Sequence, residues 1–326
     1  MQDSESILLK LQERLGPLEA QRVDVAARAK RANLIVVAGL IGGVLGCYLL
    51  SYVAIWAVIV GAIATVIALI TIHHNISGAP FEKFRQQFKA EFIRHLLENM
   101  TDDVRYVPAG DASVLTHYHQ SELFSRKLDR SSIEDSIFAS IGTTELIASE
   151  LHTEYESTST DSDGSRKTDW NTIFKGLFIS AHVQKQFQGK TIIHPDVAEK
   201  TFGEKVGRFM QSMTSSGMEL IQLDDPEFEK EFVVRSTAPS EAHSILTSSM
   251  MQRILELRQK FSGDVHLAFH QSRVYVAIST NRDFFEPQLT QSLTERETLR
   301  ESLEQVQLCL GVIKDLDLKT QHGSRA

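Results

Sequence analysis

The sequence predicts an α+β fold: a two-helix transmembrane hairpin plus a cytoplasmic domain with an antiparallel sheet and packed helices, flanked by N- and C-terminal helical arms. Three observations carry this. Residues 34–72 contain no Asp, Glu, Lys, Arg or His. Residues 130–280 hold several short β-prone runs separated by turn residues. Leucine-rich heptad spacing marks both ends of the chain. The predicted division is 1–32 for the N-terminal arm, 33–72 for the hairpin, 73–100 for a juxtamembrane amphipathic helix, 101–287 for the α+β domain and 288–326 for the C-terminal helix and tail.

The N-terminal arm shows Leu8, Leu11, Leu15 and Leu18 at spacings of 3, 4 and 3, interrupted at Gly16–Pro17, where Pro17 starts or kinks a second helix. The uncharged run that follows is 39 residues long, about 58 Å as helix, which is roughly two crossings of a ~30 Å hydrocarbon core. Two helices at Asn33–Leu50 and Val53–Ile72, with a turn at Ser51–Tyr52, leave less apolar surface in water than one long tilted helix. A segment of 33 residues, with charges of both signs throughout, precedes the run, unlike a signal peptide.

Basic residues flank the hairpin on both sides: Arg28, Lys30 and Arg31 before it, Lys83, Arg85, Lys89 and Arg94 after it. Positive flanks stay cytoplasmic, so both termini are expected in the cytoplasm. Tyr48, Tyr52 and Trp56 cluster at the apex, as expected of aromatic rings at the far membrane interface. Gly39, Gly42, Gly43 and Gly46 on the first helix, with Gly61 on the second, are small residues that let helices approach closely in lipid. They predict packing within the hairpin, with a homo-oligomer through the glycine face as the alternative. No ionisable residue lies within the spans, which argues against a pump or channel path. Cys47 and Cys309 lie on opposite sides of the membrane in this topology and cannot pair.

Gly78–Ala79–Pro80 is expected to break the helix after the second crossing. Phe81, Phe84, Phe88, Phe92 and Leu96 then form one helical stripe, with Lys83, Arg85 and Lys89 off it. Such a helix either lies in the membrane interface, with Phe81, Phe84 and Phe88 as contacts, or supplies core to the following domain.

Residues 101–326 carry 24 Lys+Arg against 34 Asp+Glu, a net −10, whereas residues 1–100 hold 10 against 8, a net +2. An acidic domain argues against nucleic acid as a partner. Within it, Ile133–Ile141 and Thr144–Glu156 read as strands around Gly142–Thr143. Trp170–Val183, Thr191–His194, Met218–Leu223 and Glu229–Arg235 read as further strands, Val114–Lys127 and Pro239–Phe261 as helices, and Val265–Phe269 with Val274–Ile278 as a hairpin around Gln271–Ser272. At the C-terminus Leu299, Leu303, Val306, Leu310 and Ile313 repeat at 4, 3, 4, 3 over about two heptads, too few to establish a coiled coil.

The runs Trp170–Phe178, Phe187–Thr191, Pro195–Asp196, Asp225–Val234, Glu241–Ala242, Ile245–Thr247, Arg253–Leu257 and Phe285–Pro287 resemble a bacterial family known as domain of unknown function 3137, over roughly residues 30–290. The resemblance implies a two-helix inner-membrane protein with a cytoplasmic domain. It brings no activity, cofactor or catalytic residue.

Individual motifs add little chemistry. Gly189-Lys190-Thr191 looks like the end of a phosphate-binding loop, but Gln184 stands where that motif needs Gly, so a tight turn with Gly189 at positive φ is expected. A calcium loop starting at Ser159 places Gly164 correctly but puts Trp170 where Glu is required. His117 and His119 diverge on a helix, His152 and Glu154 share a strand face, and His182 and His194 have no spacing that enforces a zinc site. No nucleophile-elbow pattern occurs. In the Asp224–Glu231 cluster, read as a strand, Phe228 and Phe232 lie opposite an acidic face, which is either solvated or a docking edge for a basic partner. The expectation is therefore a membrane-anchored binding or scaffolding protein, with no cofactor and no metal, whose partners are the lipid bilayer and a protein. A self-assembling structural protein is the alternative, and a membrane-tethered hydrolase or metal-dependent enzyme comes after it.

Overall fold

The computed structural model describes residues 15–50, 55–101, 103–141, 144–160, 166–196 and 217–316. The chain divides into two compact units, one of residues 1–100 with 285–304 and one of residues 101–284 with 305–326. The described residues combine helices with an antiparallel sheet, the α+β class read from the sequence.

The first unit is helical. Helix α1 spans Gly16–Leu50 without interruption. Pro17 lies in its first turn, where its missing N–H costs nothing and its φ is already helical, so it starts the helix rather than kinking it. Leu18, Val25 and Ala32, seven residues apart, are buried, and Arg22 continues the stripe. Arg22 pairs with Glu19 at 2.7 Å and donates to the Leu289 carbonyl at 2.5 Å. Glu19 accepts from Leu293 N at 2.8 Å and Ser292 Oγ at 2.9 Å, and the Arg22 guanidinium holds its carboxyl below the usual range. The expected leucine repeat at Leu8 and Leu11 lies outside the described residues, as do the Ser51–Tyr52 turn and Tyr52.

Helix α2, Ile55–His73, packs antiparallel on α1. A Cβ placed on Gly39 would lie 2.4 Å from Leu69 Cδ2, and one on Gly43 would lie 2.8 Å from Thr65 Cγ2. A side chain at either position would have to displace the Leu69 or Thr65 side chain that packs against it. Gly42 and Gly46 have nothing within 4 Å of an added Cβ, so they face away from α2. Thr65 Oγ1 donates to the Gly61 carbonyl at 2.8 Å, keeping its hydroxyl satisfied within the helix. Asn33 Oδ1 meets His73 Nε2 at 3.3 Å near the open end of the hairpin. Outside this seam, large apolar side chains such as Leu34, Ile41, Val44, Ile55, Val60 and Ile70 are exposed, and both helices are long and apolar enough to cross a membrane. Tyr48 and Trp56 are exposed as well.

Beyond α2 the expected break at Gly78–Ala79–Pro80 does not occur. A π-helical turn, His74–Gly78, leads directly into α3, Ala79–Gln87. Pro80 falls in the first turn of α3, where the wider preceding turn accommodates its ring and no N–H is missed. A second π turn, Phe88–Ile93, leads into α4, Arg94–Met100. Phe84 is 1% and Phe88 is 3% exposed, and Phe92 and Leu96 are buried with them. This corrects the expectation that Phe84 and Phe88 touch the membrane interface: the stripe is core, with ring centroids 6.4 Å apart for Phe84–Phe88 and 5.0 Å for Phe88–Phe92. Phe81 is half-buried. Nor is Lys89 a surface cation, because it is buried and bound to Glu286 at 2.6 Å.

The second unit is built on a seven-stranded antiparallel sheet of order β1-β2-β3-β4-β6-β5, with β7 on β4. Its elements are β1 Val104–Val107, α5 Val114–Ser121, β2 Arg130–Ile141, β3 Thr144–Thr160, β4 Arg166–Pro195, β5 Glu219–Ile221, α6 Pro226–Glu231, β6 Phe232–Ser236, α7 Pro239–Ile245, α8 Ser248–Phe261 and β7 Val265–Ser279. Strand β4 is the spine. It pairs with β3 over Arg166–Ala181 and with β6 over Thr191–Pro195, while β7 runs along it from Gly176 to Ile193.

Five expectations are corrected here. Trp170–Val183 and Thr191–His194 are one strand, because register shifts near Phe187 let it bend without ending. Residues 265–278 are one strand on β4 rather than a hairpin: Gln271 takes positive φ at the irregularity opposite Phe187 and bends β7 with its partner. Residues 226–231 are a helix, since Asp225 accepts from Glu227 N (3.0 Å) and Phe228 N (3.1 Å) as its N-cap and Pro226 follows. Phe228 and Phe232 still stack, with centroids 4.9 Å apart. Helix α5 stops at Ser121, short of Lys127, because Glu122 turns left-handed at φ 50°. Residues 239–261 form two helices, since Thr247 caps the second through Met250 N. Gly142–Thr143 and Asp161–Gly164 lie outside the described residues.

Helix α9, Arg296–Asp315, begins in the first unit and ends in the second. Leu299, Leu303, Val306, Leu310 and Ile313 are all buried, so this stripe is used within the chain. Cys309 is fully buried, and burial pushes its thiol pKa up, which keeps it in the unreactive thiol form.

Candidate functional site

The sequence motifs resolve into structure first. Gly189 lies within β4 and does not take positive φ. Its role is close approach: a Cβ there would meet Ala238 Cβ at 2.5 Å. The Gln188 and Gly189 N–H groups donate to the two carboxylate oxygens of Glu241 at 2.9 and 2.8 Å, and Lys190 N donates to Thr237 Oγ1 at 2.8 Å. The chain's own carboxylate thus takes the donors that a phosphate loop would offer.

No described histidine joins a group of three metal-ligating side chains. His152 meets Thr172 and Glu154. His182 is exposed on the β4 edge facing Arg273 in register. His194 pairs with His266, Nδ1 to Nδ1 at 2.9 Å.

A different polar group gathers where α5 meets the middle of β4 and β7. The core beneath α5 is Val114, Tyr118, Leu123, Phe174, Phe178 and Ala277. At its edge Ser180 and Tyr275 are register partners on adjacent strands, both fully buried. Because side chains alternate along a strand, Arg273 shares the Tyr275 face. Its Nη1 donates to Ser180 Oγ at 3.0 Å, and His117 Nδ1, reaching down from α5, lies 3.5 Å from the same oxygen. His270 stacks on Tyr275 with centroids 5.0 Å apart. Lys190 is paired with Glu122, the C-cap of α5.

The electrostatics follow from burial. Desolvation, aided by the Arg273 charge, lowers the His117 pKa. Burial is also the first cause lowering His270 and raising Tyr275. Both imidazoles are therefore neutral near pH 7. The arrangement fits recognition better than acyl transfer. Ser180 is completely buried, its oxygen already accepts from Arg273, and no carboxylate among the described residues orients His117. Sequence reasoning singled out His117 but missed Ser180, Arg273, His270 and Tyr275, since 63 and 93 residues separate the contacting pairs.

Elsewhere an open concavity of about 700 Å³ is lined by Glu227, Lys230 and Glu231 of α6 with Arg258 and Asp264. The Asp224–Glu231 cluster borders it. Its charges are partly matched, since Arg258 binds both Glu231 and Asp264.

Residues 172–318 match the family described as "Protein of unknown function (DUF3137)". The match begins inside β4 and runs past α9, a narrower and more C-terminal span than residues 30–290. Among solved structures, the "crystal structure of the mycobacterial trehalose monomycolate transport factor A, TtfA" is similar at 10% identity, covering 71% of this chain and 94% of that chain with a TM-score of 0.34. At that score nothing further is drawn from it. No curated protein matches the chain.

Proposed function

We propose that this chain, a member of the family of proteins of unknown function DUF3137, is a membrane-anchored binding module of the cytoplasmic (inner) membrane. In this reading residues 33–72 cross the bilayer as a hairpin, both termini stay in the cytoplasm, and the sheet domain of residues 101–287 binds a protein partner. One observation carries the anchor. The α1–α2 seam uses Gly39 and Gly43, while the large apolar side chains around it are exposed. At ~25 cal/mol per Å² of apolar surface, such a hairpin is unfavourable in water and favourable in lipid. Arg28, Lys30 and Arg31 before the hairpin and Lys83 and Arg94 after it favour the cytoplasmic side for both ends.

Fusions of a side-reporting enzyme to each terminus should both report the cytoplasm, and the protein should resist carbonate extraction. Opposite-side reports or release by carbonate would end the anchor reading. Crosslinking followed by pull-down should recover a partner that is lost when the domain is deleted. Recovery of the chain alone would end the binding reading.

Self-assembly through the hairpin is the second reading, favoured by Gly42 and Gly46, which stand open on the outer face of α1. Crosslinked oligomers that disappear in Gly42→Leu would support it. A monomer in both the parent chain and the variant would remove it.

A further inference from the structure

Where α5 ends, the sheet carries polar atoms that have no partner among the described residues. The Tyr275 hydroxyl is buried and makes no hydrogen bond to a described residue, and the residue is 0% exposed. His270, 7% exposed and stacked on that ring, has a buried Nε2 that is equally unpartnered. Buried polar groups are nearly always paired, so two such atoms on stacked rings need an explanation. Next to them stands Arg273. It is half-buried, donates to Ser180 Oγ, and has no carboxylate partner among the described residues. Glu122, whose charge reaches Tyr275 and His270, is bound to Lys190. A guanidinium without a described carboxylate partner therefore lies close enough to act on the Tyr275 hydroxyl, and the ring stacked on Tyr275 carries the second open atom, His270 Nε2.

The hydrogen-bond sense of the histidine narrows the ligand. The main chain of Gln120, in the last turn of α5, bonds the other side of the His270 ring. A helix C-terminus offers carbonyl acceptors, so the ring proton sits on that side and a lone pair is left on Nε2. Burial keeps the ring neutral. The site thus presents donors, from Arg273 and Tyr275, and one acceptor, on His270. A carboxylate or sulfate offers only acceptors and would leave Nε2 unpaired. A monoprotonated phosphate offers acceptor oxygens together with a P–OH donor.

We infer that Arg273, Tyr275 and His270 form a binding site for a monoprotonated phosphate group, with Arg273 supplying charge, Tyr275 donating to a phosphate oxygen and His270 Nε2 accepting from the P–OH. His117 and Ser180 hold the Arg273 side of the site. This names a ligand class for the domain and rests on reading it as a binding module. Loss of phosphate binding would leave recovery of a protein partner unchanged, so the two fail separately.

The test is calorimetric titration of the full chain in uncharged detergent at pH 7 with inorganic phosphate, and with sulfate as the control. Saturable phosphate binding is expected, with sulfate at least about tenfold weaker. Tyr275→Phe removes a hydroxyl that has no partner among the described residues, so it should fold with an unchanged or higher Tm and weaken phosphate binding about tenfold. Arg273→Gln should abolish binding. Repeating the titration in bilayer discs of phosphatidylcholine with and without phosphatidic acid separates the sources. Competition by phosphatidic acid supports the site as a lipid-headgroup site, and unchanged binding supports it as a site for a soluble phosphate. Absence of saturable phosphate binding, binding equal to that of sulfate, or binding unaltered in both variants would overturn the assignment.

Discussion

His194 and His266 face each other across β4 and β7 with their Nδ1 atoms 2.9 Å apart. A hydrogen bond between two imidazole nitrogens needs one N–H and one lone pair, so at least one ring is neutral. Phe124 packs on His266, and the Arg235 charge on β6 adds to burial in lowering His194. Burial drives His266 down to about 4.

The sign of the pH effect follows. A depressed histidine pKa means that the unfolded chain takes up a proton below its own value of 6.5 while the folded chain resists until about 4. Stability should be full above pH 6.5 and fall as pH drops towards 4, by up to ~3 kcal/mol from His266. Urea midpoints for the full chain in detergent at pH 7.5 and 5.0 measure this. His266→Gln should reduce the difference, leaving the part that buried His194 contributes. An equal slope in parent and variant would show that the pair does not govern it.

The hairpin seam separates glycines that look alike in sequence. Gly43→Ile drives a side chain into Thr65, which already lies 2.8 Å from an ideal Cβ, and should cost about 1–3 kcal/mol. Gly42→Ala enters open space and should be neutral within about 0.5 kcal/mol. Thermal denaturation in detergent distinguishes them, and equal effects would show that the seam does not run through Gly43.

Glu241 satisfies two main-chain N–H groups of β4, those of Gln188 and Gly189. Glu241→Ala leaves both without their acceptor and should destabilise the domain by about 1–3 kcal/mol, while Glu241→Gln retains one acceptor oxygen and loses less. Denaturant midpoints of the three chains should rank parent, Gln, Ala. Identical values for the parent and the Ala variant would mean that water replaces the carboxylate freely.

Lys89, buried, and Glu286, partly exposed, form an ion pair at 2.6 Å. Removing the acid takes the Glu286 charge from a buried ammonium, so Glu286→Gln should cost about 1–3 kcal/mol, whereas Lys89→Met, which keeps the stem packed, should cost less. The reverse order in thermal unfolding would contradict this account of the pair.

Much of this protein was legible in local pattern. The uncharged run 34–72 marks the apolar part of α1 and all but the end of α2, because hydropathy is visible residue by residue. Residues 133–141 and 144–156 were read as strands from composition and alternation, and they are β2 and β3. Where local signals competed, the pattern misled. Asp225–Pro226 outweighed the β-prone residues after it and started a helix. Gly78 and Pro80 look like a break, yet a π turn absorbs them.

The sequence by itself determined the apolar hairpin, the mixed class and most strand positions, because periodicity and hydropathy act over a few neighbouring residues. Only the tertiary structure decided that residues 265–279 lie along β4, that Phe84 and Phe88 face protein, and that Ser180, His117, Arg273 and Tyr275 meet. These outcomes depend on strand register and on contacts between residues tens of positions apart, and nothing in the spacing of one segment carries the register of another.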